Sequence, residues 1–331
     1  MIYQVLCGDV LEMMRTLPDE SVNCVVTSPP YYGLRDYGHE RQLGLEQTPA
    51  EYIEKMVEVF CEVRRVLRGD GTLWLNLGDS YCNSNGFARA SAQYQRQGRN
   101  DAPANDRKLR DLNEAGYKTK DLIGIPWRVA LALQADGWYL RQDIIWHKPN
   151  PMPESVRDRC TRAHEYVFML TKSPKYWYDA DAIKEDAAVT SSVKGGPNPG
   201  FHVKHCPNNS QPSKKQDTLG KPTYTGFNKR YKTSGGVEKK NCRSVWNISP
   251  RPYKGAHFAV FPPELPRRCV LAGCPEGGVV LDPFAGSGTT LEVALRHGRN
   301  AIGIELNPDY CSLINERMQG LSPSLFCGEV E

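Results

Sequence analysis

The chain predicts a doubly wound α/β domain, and two patterns carry that expectation. Apolar runs of strand length recur along it, most of them nearly continuous, as in a parallel sheet covered on both faces. Segments with apolar residues at helical spacing lie between those runs. Strands that alternate with helices in this way build an open sheet with helices on either side.

Taken in order, strands are predicted at Tyr3–Leu6, Val22–Thr27, Thr72–Leu77, Leu140–Trp146, Glu165–Leu170, Val279–Leu281 and Asn300–Ile304. The first long helix is predicted over Pro49–Leu67, where Tyr52, Ile53, Met56, Val57, Phe60, Val63 and Leu67 form one stripe. Further helices are expected over Asp121–Gln134, Pro262–Ala272, Thr289–His297 and Pro308–Met318. Two stretches break the alternation: a polar one at 83–120, and one at 183–243 rich in Gly, Pro, Lys, Asn and Ser. Both are too long for ordinary connections, so each is a functional insertion or a disordered segment.

Composition narrows the class. With 331 residues and 40% hydrophobic content, the chain can form one large domain with an insertion, or two domains. It has no apolar run long enough for a membrane helix, and its start, MIYQVLCGDV, lacks a signal-peptide pattern, so a soluble cytoplasmic protein is expected. The 11 cysteines contain no CxxC pair. Cys7, Cys24, Cys61 and Cys269 lie in apolar stretches, which suits reduced, buried thiols better than disulfides. The net charge is +4, and residues 183–243 hold 12 Lys+Arg against 4 Asp+Glu, a local +8. The remainder is therefore −4, and such asymmetry points to a polyanionic partner.

Two motifs suggest chemistry. In VVLDPFAGSGTTLEVAL (279–295) a strand ends at Asp282, Gly286 and Gly288 make a tight turn, and a helix begins. Glycines let the backbone approach a ligand, and the helix start offers unpaired N–H groups. The turn alone could be purely structural, and it is neither G-x-G-x-x-G nor a P-loop. The next strand ends in Glu305, close to the ~20 residues at which an acid reaches a ribose in nucleoside-binding sheets. Together these features predict a nucleoside cofactor at the C-terminal edge of the sheet. The second motif, TSPPYY (27–32), closes another predicted strand with two stiff prolines and two tyrosines. By itself it could be an extended turn or a polyproline ligand.

TSPPYY together with DPFAGSGTT resembles the DNA amino-methyltransferases, which move a methyl group from S-adenosylmethionine to an exocyclic base nitrogen. The order of the motifs, catalytic first and cofactor last, resembles their β class. The resemblance covers about residues 1–182 and 244–319. It implies a mostly parallel, seven-stranded, Rossmann-like sheet, circularly permuted, with an inserted target-recognition region. The implied organisation is 1–182 as the catalytic half (with 83–120 inserted), 183–243 as the basic target-recognition insertion, and 244–331 as the cofactor half.

The resemblance also implies site residues. Ser28, Pro29, Pro30 and Tyr31 would act on the base, with the Ser28 side chain and the Pro29 carbonyl accepting the amine protons. Proline suits that task because its fixed φ makes the carbonyl direction rigid. Tyr31 would stack on a base flipped from the duplex, offsetting part of the unstacking cost. Asp9, Asp282, Phe284, Ala285, Gly286, Gly288, Thr289 and Glu305 would hold the cofactor, with Phe258 nearby. No strong general base is expected, because the amine becomes acidic only as the new bond forms.

Trp146, Lys148 and Asn150 in IIWHKPNPMPES would line the base pocket, or Trp146 would belong to the core. Arg157, Arg159 and Arg162 would touch phosphates, or form a solvated basic face. Lys214, Lys215, Lys229, Arg230 and Lys232 in the basic insertion would bind DNA phosphates. Asp79 would serve the ligand or cap the next turn. His202, His205 and Cys206 lack a fourth ligand nearby, so no metal site is expected. Serine at position 28 is the commoner choice in N4-cytosine enzymes and favours that reading. N6-adenine DNA methylation, RNA N6-adenine methylation and a non-catalytic DNA-binding protein are the alternatives. Expected partners are double-stranded DNA and a cognate restriction endonuclease, for a monomer or homodimer.

Overall fold

The computed structural model describes residues 1–34, 39, 41–82, 116–186, 239–250 and 261–321. The chain divides into two compact units, Met1–Ile183 with Arg243–Glu331, and Lys184–Cys242.

The first unit is built on an eight-stranded sheet. Its strands are β1 (Tyr3–Cys7), β2 (Val22–Thr27), β3 (Leu67–Leu77), β4 (Tyr139–His147), β5 (His164–Thr171), β8 (Val245–Asn247), β9 (Val279–Asp282) and β10 (Asn300–Glu305). They lie in the order β1-β10-β9-β2-β3-β5-β4-β8. All pairings are parallel except those of β5, which runs against β3 and β4. The last two strands in sequence thus lie between the first two, which is the circular permutation expected. All seven predicted strands are present. The three-residue β8 adds an eighth at the edge, too short to carry a periodic signal. In the second unit, β6 (Glu185–Asp186) pairs antiparallel with β7 (Lys239–Lys240).

Helices cover both faces. Alternate residues of a strand face opposite sides, and in β2 both sets are buried: Cys24, Val25 and Val26 are at most 1% exposed. Val25 belongs to the core shared with α1 (Val10–Met14), α2 (Pro49–Val66) and α3 (Ile125–Ala135). On the other face, Cys24 and Trp74 meet α4 (Glu264–Gly273) at Gly273, where an added Cβ would lie 2.4 Å from Trp74 Nε1. Helices α5 (Thr289–Arg296) and α6 (Pro308–Gln319) complete the fold.

Local chemistry explains the helix ends. Thr48 accepts the Glu51 N–H at 3.2 Å and Pro49 follows, so α2 starts where predicted. Helix α3 starts four residues later than predicted. Gly124 is left-handed (φ 78°), and the Asp79 carboxylate caps the first N–H groups from across the chain. The expected burial of Cys7 and Cys61 is corrected, since both are exposed, whereas Cys24 and Cys269 are fully buried. Among the described residues, no helix is long and apolar enough to cross a membrane.

Candidate active site

The site follows from topology. Strand β9 leads through α5 to β10 on one side, and β2 leads through α2 to β3 on the other. The sheet order therefore reverses between β9 and β2, and ligands of open α/β sheets bind outside the strand ends at such a point. The C-terminal ends of β1, β10, β9, β2, β3 and β4 share one edge. Antiparallel β5 brings its N-terminal residues, His164 and Glu165, to the same edge.

A cleft of about 1000 Å³ opens there. Its wall includes Ser28, Pro29, Pro30 and Tyr31, and also Asp9, Asp282, Phe284, Ala285, Gly286, Thr289 and Glu305. Trp146, Lys148, Asn150 and Arg162 line it as well. The expected catalytic and cofactor segments, more than 250 residues apart in sequence, thus share one space. Gly288 sits behind the wall as N-cap of α5, at φ 76°; a Cβ on it would lie 3.0 Å from Ile314. Arg157 is exposed outside the cleft wall. Arg159 is paired with Glu154 at 2.6 Å, with its guanidinium over the Tyr81 ring. Phe258, Lys214, Lys215, Lys229, Arg230 and Lys232 lie outside the described residues, as do His202, His205 and Cys206.

On the nucleoside side, the glycine turn is held by its flanking acids. Glu305 accepts Gly286 N–H at 2.8 Å on one oxygen and Asn307 N–H at 2.9 Å on the other. A carboxylate has about four acceptor sites, so each oxygen keeps capacity for a diol. Burial raises the Glu305 carboxyl above its usual range. Asp9 caps α1, taking the Leu11 and Glu12 N–H groups on Oδ1. The N-terminus of α5 has no side-chain cap. Glycine turn, open helix start and neighbouring carboxylates together fit a nucleoside cofactor.

Asp282 faces inward. It is 2% exposed, takes Thr27 Oγ1 at 2.7 Å and Phe284 N at 3.1 Å on Oδ1, and takes Thr290 Oγ1 at 2.6 Å on Oδ2. It ties the residue before Ser28 to the glycine turn. Burial pushes its carboxyl up to about 6, opposed by the three hydrogen bonds.

The side of the cleft formed by TSPPYY is more polar than that stretch suggests. Tyr52 Oη donates to the Pro30 carbonyl at 2.9 Å, which fixes the proline pair; among the described residues none donates to the Pro29 carbonyl. The Tyr31 ring rests on Gly78, where an added Cβ would lie 2.6 Å from Cε2. Its hydroxyl lies 2.7 Å from Glu165 Oε2 and 3.2 Å from Asn76 Oδ1, and receives the Ser28 hydroxyl at 3.3 Å. Burial, then the Glu165 charge, hold the phenol well above its ordinary range, so it stays protonated. Lys148 donates to Glu165 Oε1 and lies 4.3 Å from the Trp146 ring centre. Trp146 itself is 4% exposed, with Nε1 donating to the Ile248 carbonyl at 2.8 Å: it is a core residue with an edge in the wall.

Asp79 is the cap of α3, accepting Ser80, Gly124 and Ile125 N–H on Oδ1. Arg162 Nη1 donates to the Asp79 carbonyl, while its buried Nη2 has no partner among the described residues. Sequence reasoning missed Asn76 and Glu165. The available signal was a carboxylate opening an otherwise apolar strand. Its importance depends on β5 being antiparallel.

Comparison with known proteins gives a consistent picture. Residues 22–316 match the family model described as DNA methylase. The chain is 45% identical over 313 residues to the Type II methyltransferase M.Cfr9I of Citrobacter freundii, covering 95% of this chain and 86% of that one. It is 46% identical over 315 residues to the Type II methyltransferase M.SmaI of Serratia marcescens, covering 95% and 90%. In fold it is similar to the cytosine-N4-specific PvuII DNA methyltransferase, with a TM-score of 0.59 at 18% identity over 98% and 89% of the two chains. It is also similar to TTHA0409 of Thermus thermophilus complexed with S-adenosyl-L-methionine, with a TM-score of 0.53 at 25% identity over 99% and 97%.

Proposed function

Because this chain belongs to the DNA methylase family, we propose that it methylates the exocyclic N4 amine of a cytosine flipped out of duplex DNA. One observation carries the reading. Ser28 and the proline pair stand directly beside the glycine turn at the switch point, joined to it through the 2.7 Å contact between Thr27 and Asp282. S-adenosylmethionine, when bound, supplies an electrophilic methyl group.

This chain's residues do the rest. Glu305 would accept the ribose hydroxyls, and the glycine turn at 284–288 would hold the cofactor. Asp9 stands at the end of β1 on the nucleoside side. An exocyclic amine is conjugated with its ring, so its lone pair is a poor nucleophile until the nitrogen becomes pyramidal. The Ser28 oxygen and the Pro29 carbonyl accept its two N–H protons and favour that geometry and the developing positive charge. The Tyr31 ring, backed by Gly78, offers its other face to the base. Lys148, Asn150 and Arg162 in the cleft wall, with Arg157 and Arg159 outside it, would serve the flanking strand as cations and donors for phosphates and base edges.

Cytosine is favoured over adenine because position 28 is serine, the choice typical of the N4 class. Nucleoside mass spectrometry of unmethylated DNA after incubation with the protein and S-adenosylmethionine tests the reading. N4-methylcytosine is the expected product. N6-methyladenine would overturn the choice of base and leave the site assignments standing. A protein that binds the cofactor but methylates no DNA of diverse sequence would overturn the substrate.

A further inference from the structure

We propose that Glu165 is the terminal proton acceptor of a hydroxyl relay, Ser28 to Tyr31 to Glu165, which removes the proton the target amine sheds. The inference rests on the reading above and extends it to residues outside TSPPYY. Methyl transfer leaves the amine nitrogen cationic, and one N–H proton must depart. A serine hydroxyl cannot retain it, and the stretch itself holds no base.

The contacts order the protons. A phenol has one hydrogen and two acceptors in reach, Glu165 Oε2 at 2.7 Å and Asn76 Oδ1 at 3.2 Å. The shorter, charged acceptor takes it. The Tyr31 oxygen then faces Ser28 with a lone pair, and Ser28 donates to it. Ser28 therefore presents oxygen lone pairs, and no hydrogen, to the amine. At 3.3 Å the Ser28 contact is long for O–H···O, as acid–base contacts commonly are before substrate closes on them. Asn76, 2% exposed on β3, donates to the Tyr166 carbonyl at 3.0 Å and to Glu165 Oε2 at 3.3 Å, which holds the carboxylate in place. Lys148 occupies only Oε1. The charged and titratable groups facing Glu165 are thus Lys148 from the end of β4 and Tyr31 from the end of β2, with His164 next to it in β5.

The step balances. The amine lone pair forms the N–CH3 bond while the S–CH3 bond breaks, its electron pair remaining on sulfur. The N–H proton passes to Ser28 Oγ, the Ser28 hydrogen to Tyr31 Oη, and the Tyr31 hydrogen to Glu165 Oε2. One sulfonium charge and one carboxylate charge disappear together, so a buried site is left without net gain of charge. Glu165 acts through two hydroxyls and is a positioning and proton-accepting residue, never touching the base.

Single-turnover methylation by Tyr31→Phe, Glu165→Gln and the double variant tests the relay, with folding and cofactor binding checked by melting and calorimetry. Each single variant should be slower by on the order of 10² or more. The double should be no slower than the worse single, since the residues act as a unit. Independently of turnover, ¹³Cζ-tyrosine NMR of the cofactor-free protein, with Tyr31 assigned by its loss in Tyr31→Phe, should show Tyr31 ionising at lower pH in Glu165→Gln. A Tyr31→Phe rate within about threefold of wild type would overturn the relay, and so would multiplicative losses or an unmoved Tyr31 signal. If Glu165→Gln does not fold, Tyr31→Phe, which removes one oxygen, decides alone. A wild-type protein that methylates nothing fails the functional reading instead, and the NMR result then judges the Tyr31–Glu165 link separately.

Discussion

Replacing Asp282 with asparagine should flatten part of the protein's pH–stability profile. The Asp282 carboxyl is fully buried and sits at about 6 instead of its ordinary 3.8. That is a difference of roughly 2 pH units, or roughly 3 kcal/mol at about 1.36 kcal/mol per unit. The sign follows from the direction of the shift. Below pH 3.8 both folded and unfolded chains hold the proton, and the contribution is fully present. Between 3.8 and about 6 the folded chain keeps a proton that the unfolded chain has lost, so stability falls as pH rises. Above about 6 the loss is complete, and the charged carboxylate is carried at that cost on its three donors. Asparagine keeps an oxygen for Thr27 and Phe284, and Thr290 Oγ1 can turn to accept its amide. Urea unfolding of the cofactor-free proteins from about pH 4 to about pH 7.5 measures the effect. The stability difference, variant minus wild type, should grow by on the order of 3 kcal/mol across the window. Parallel profiles for the two proteins would refute the inward, desolvated placement of this carboxylate.

Other perturbations separate the two halves of the cleft. Gly288→Ala forces a side chain onto φ 76° and to within 3.0 Å of Ile314; it should cost about 1–2 kcal/mol of stability and weaken S-adenosylmethionine binding in calorimetry. Gly78→Ala drives a methyl into the Tyr31 ring, 2.6 Å from Cε2, and should slow methylation while leaving cofactor affinity within about twofold. Asp79→Ala removes the acceptor of the Gly124 and Ile125 N–H groups and should lower the melting point through a loss of about 1–2 kcal/mol.

Much of this architecture was legible in the residues themselves. Strands buried on both faces must be apolar throughout, so β2, β9 and β10 announce themselves as continuous runs. Their C-terminal punctuation, Ser-Pro-Pro and Asp-Pro-Phe-Ala-Gly, marks where the backbone leaves the sheet to meet a ligand. The stripe of α2 and its Thr48-Pro49 start are equally local. Long-range pairing is of another kind. That Asp282 turns inward to Thr27 depends on β9 lying beside β2, two strands 252 positions apart (279 less 27) that no local period relates. The start of α3 was misjudged because its cap, Asp79, comes from beyond a long insertion.

The sequence alone determined which segments form the sheet and where the two motifs fall, because hydrophobic period, glycine φ and proline rigidity are properties of neighbouring residues; the permuted order was what the resemblance to the DNA amino-methyltransferases implied, and the strand pairing bears it out. Only the tertiary structure decided the polar chemistry beside Ser28. Strand direction is a property of pairing, and the reversed direction of β5 is what turns Glu165 from a strand-opening acid into the carboxylate that receives Tyr31.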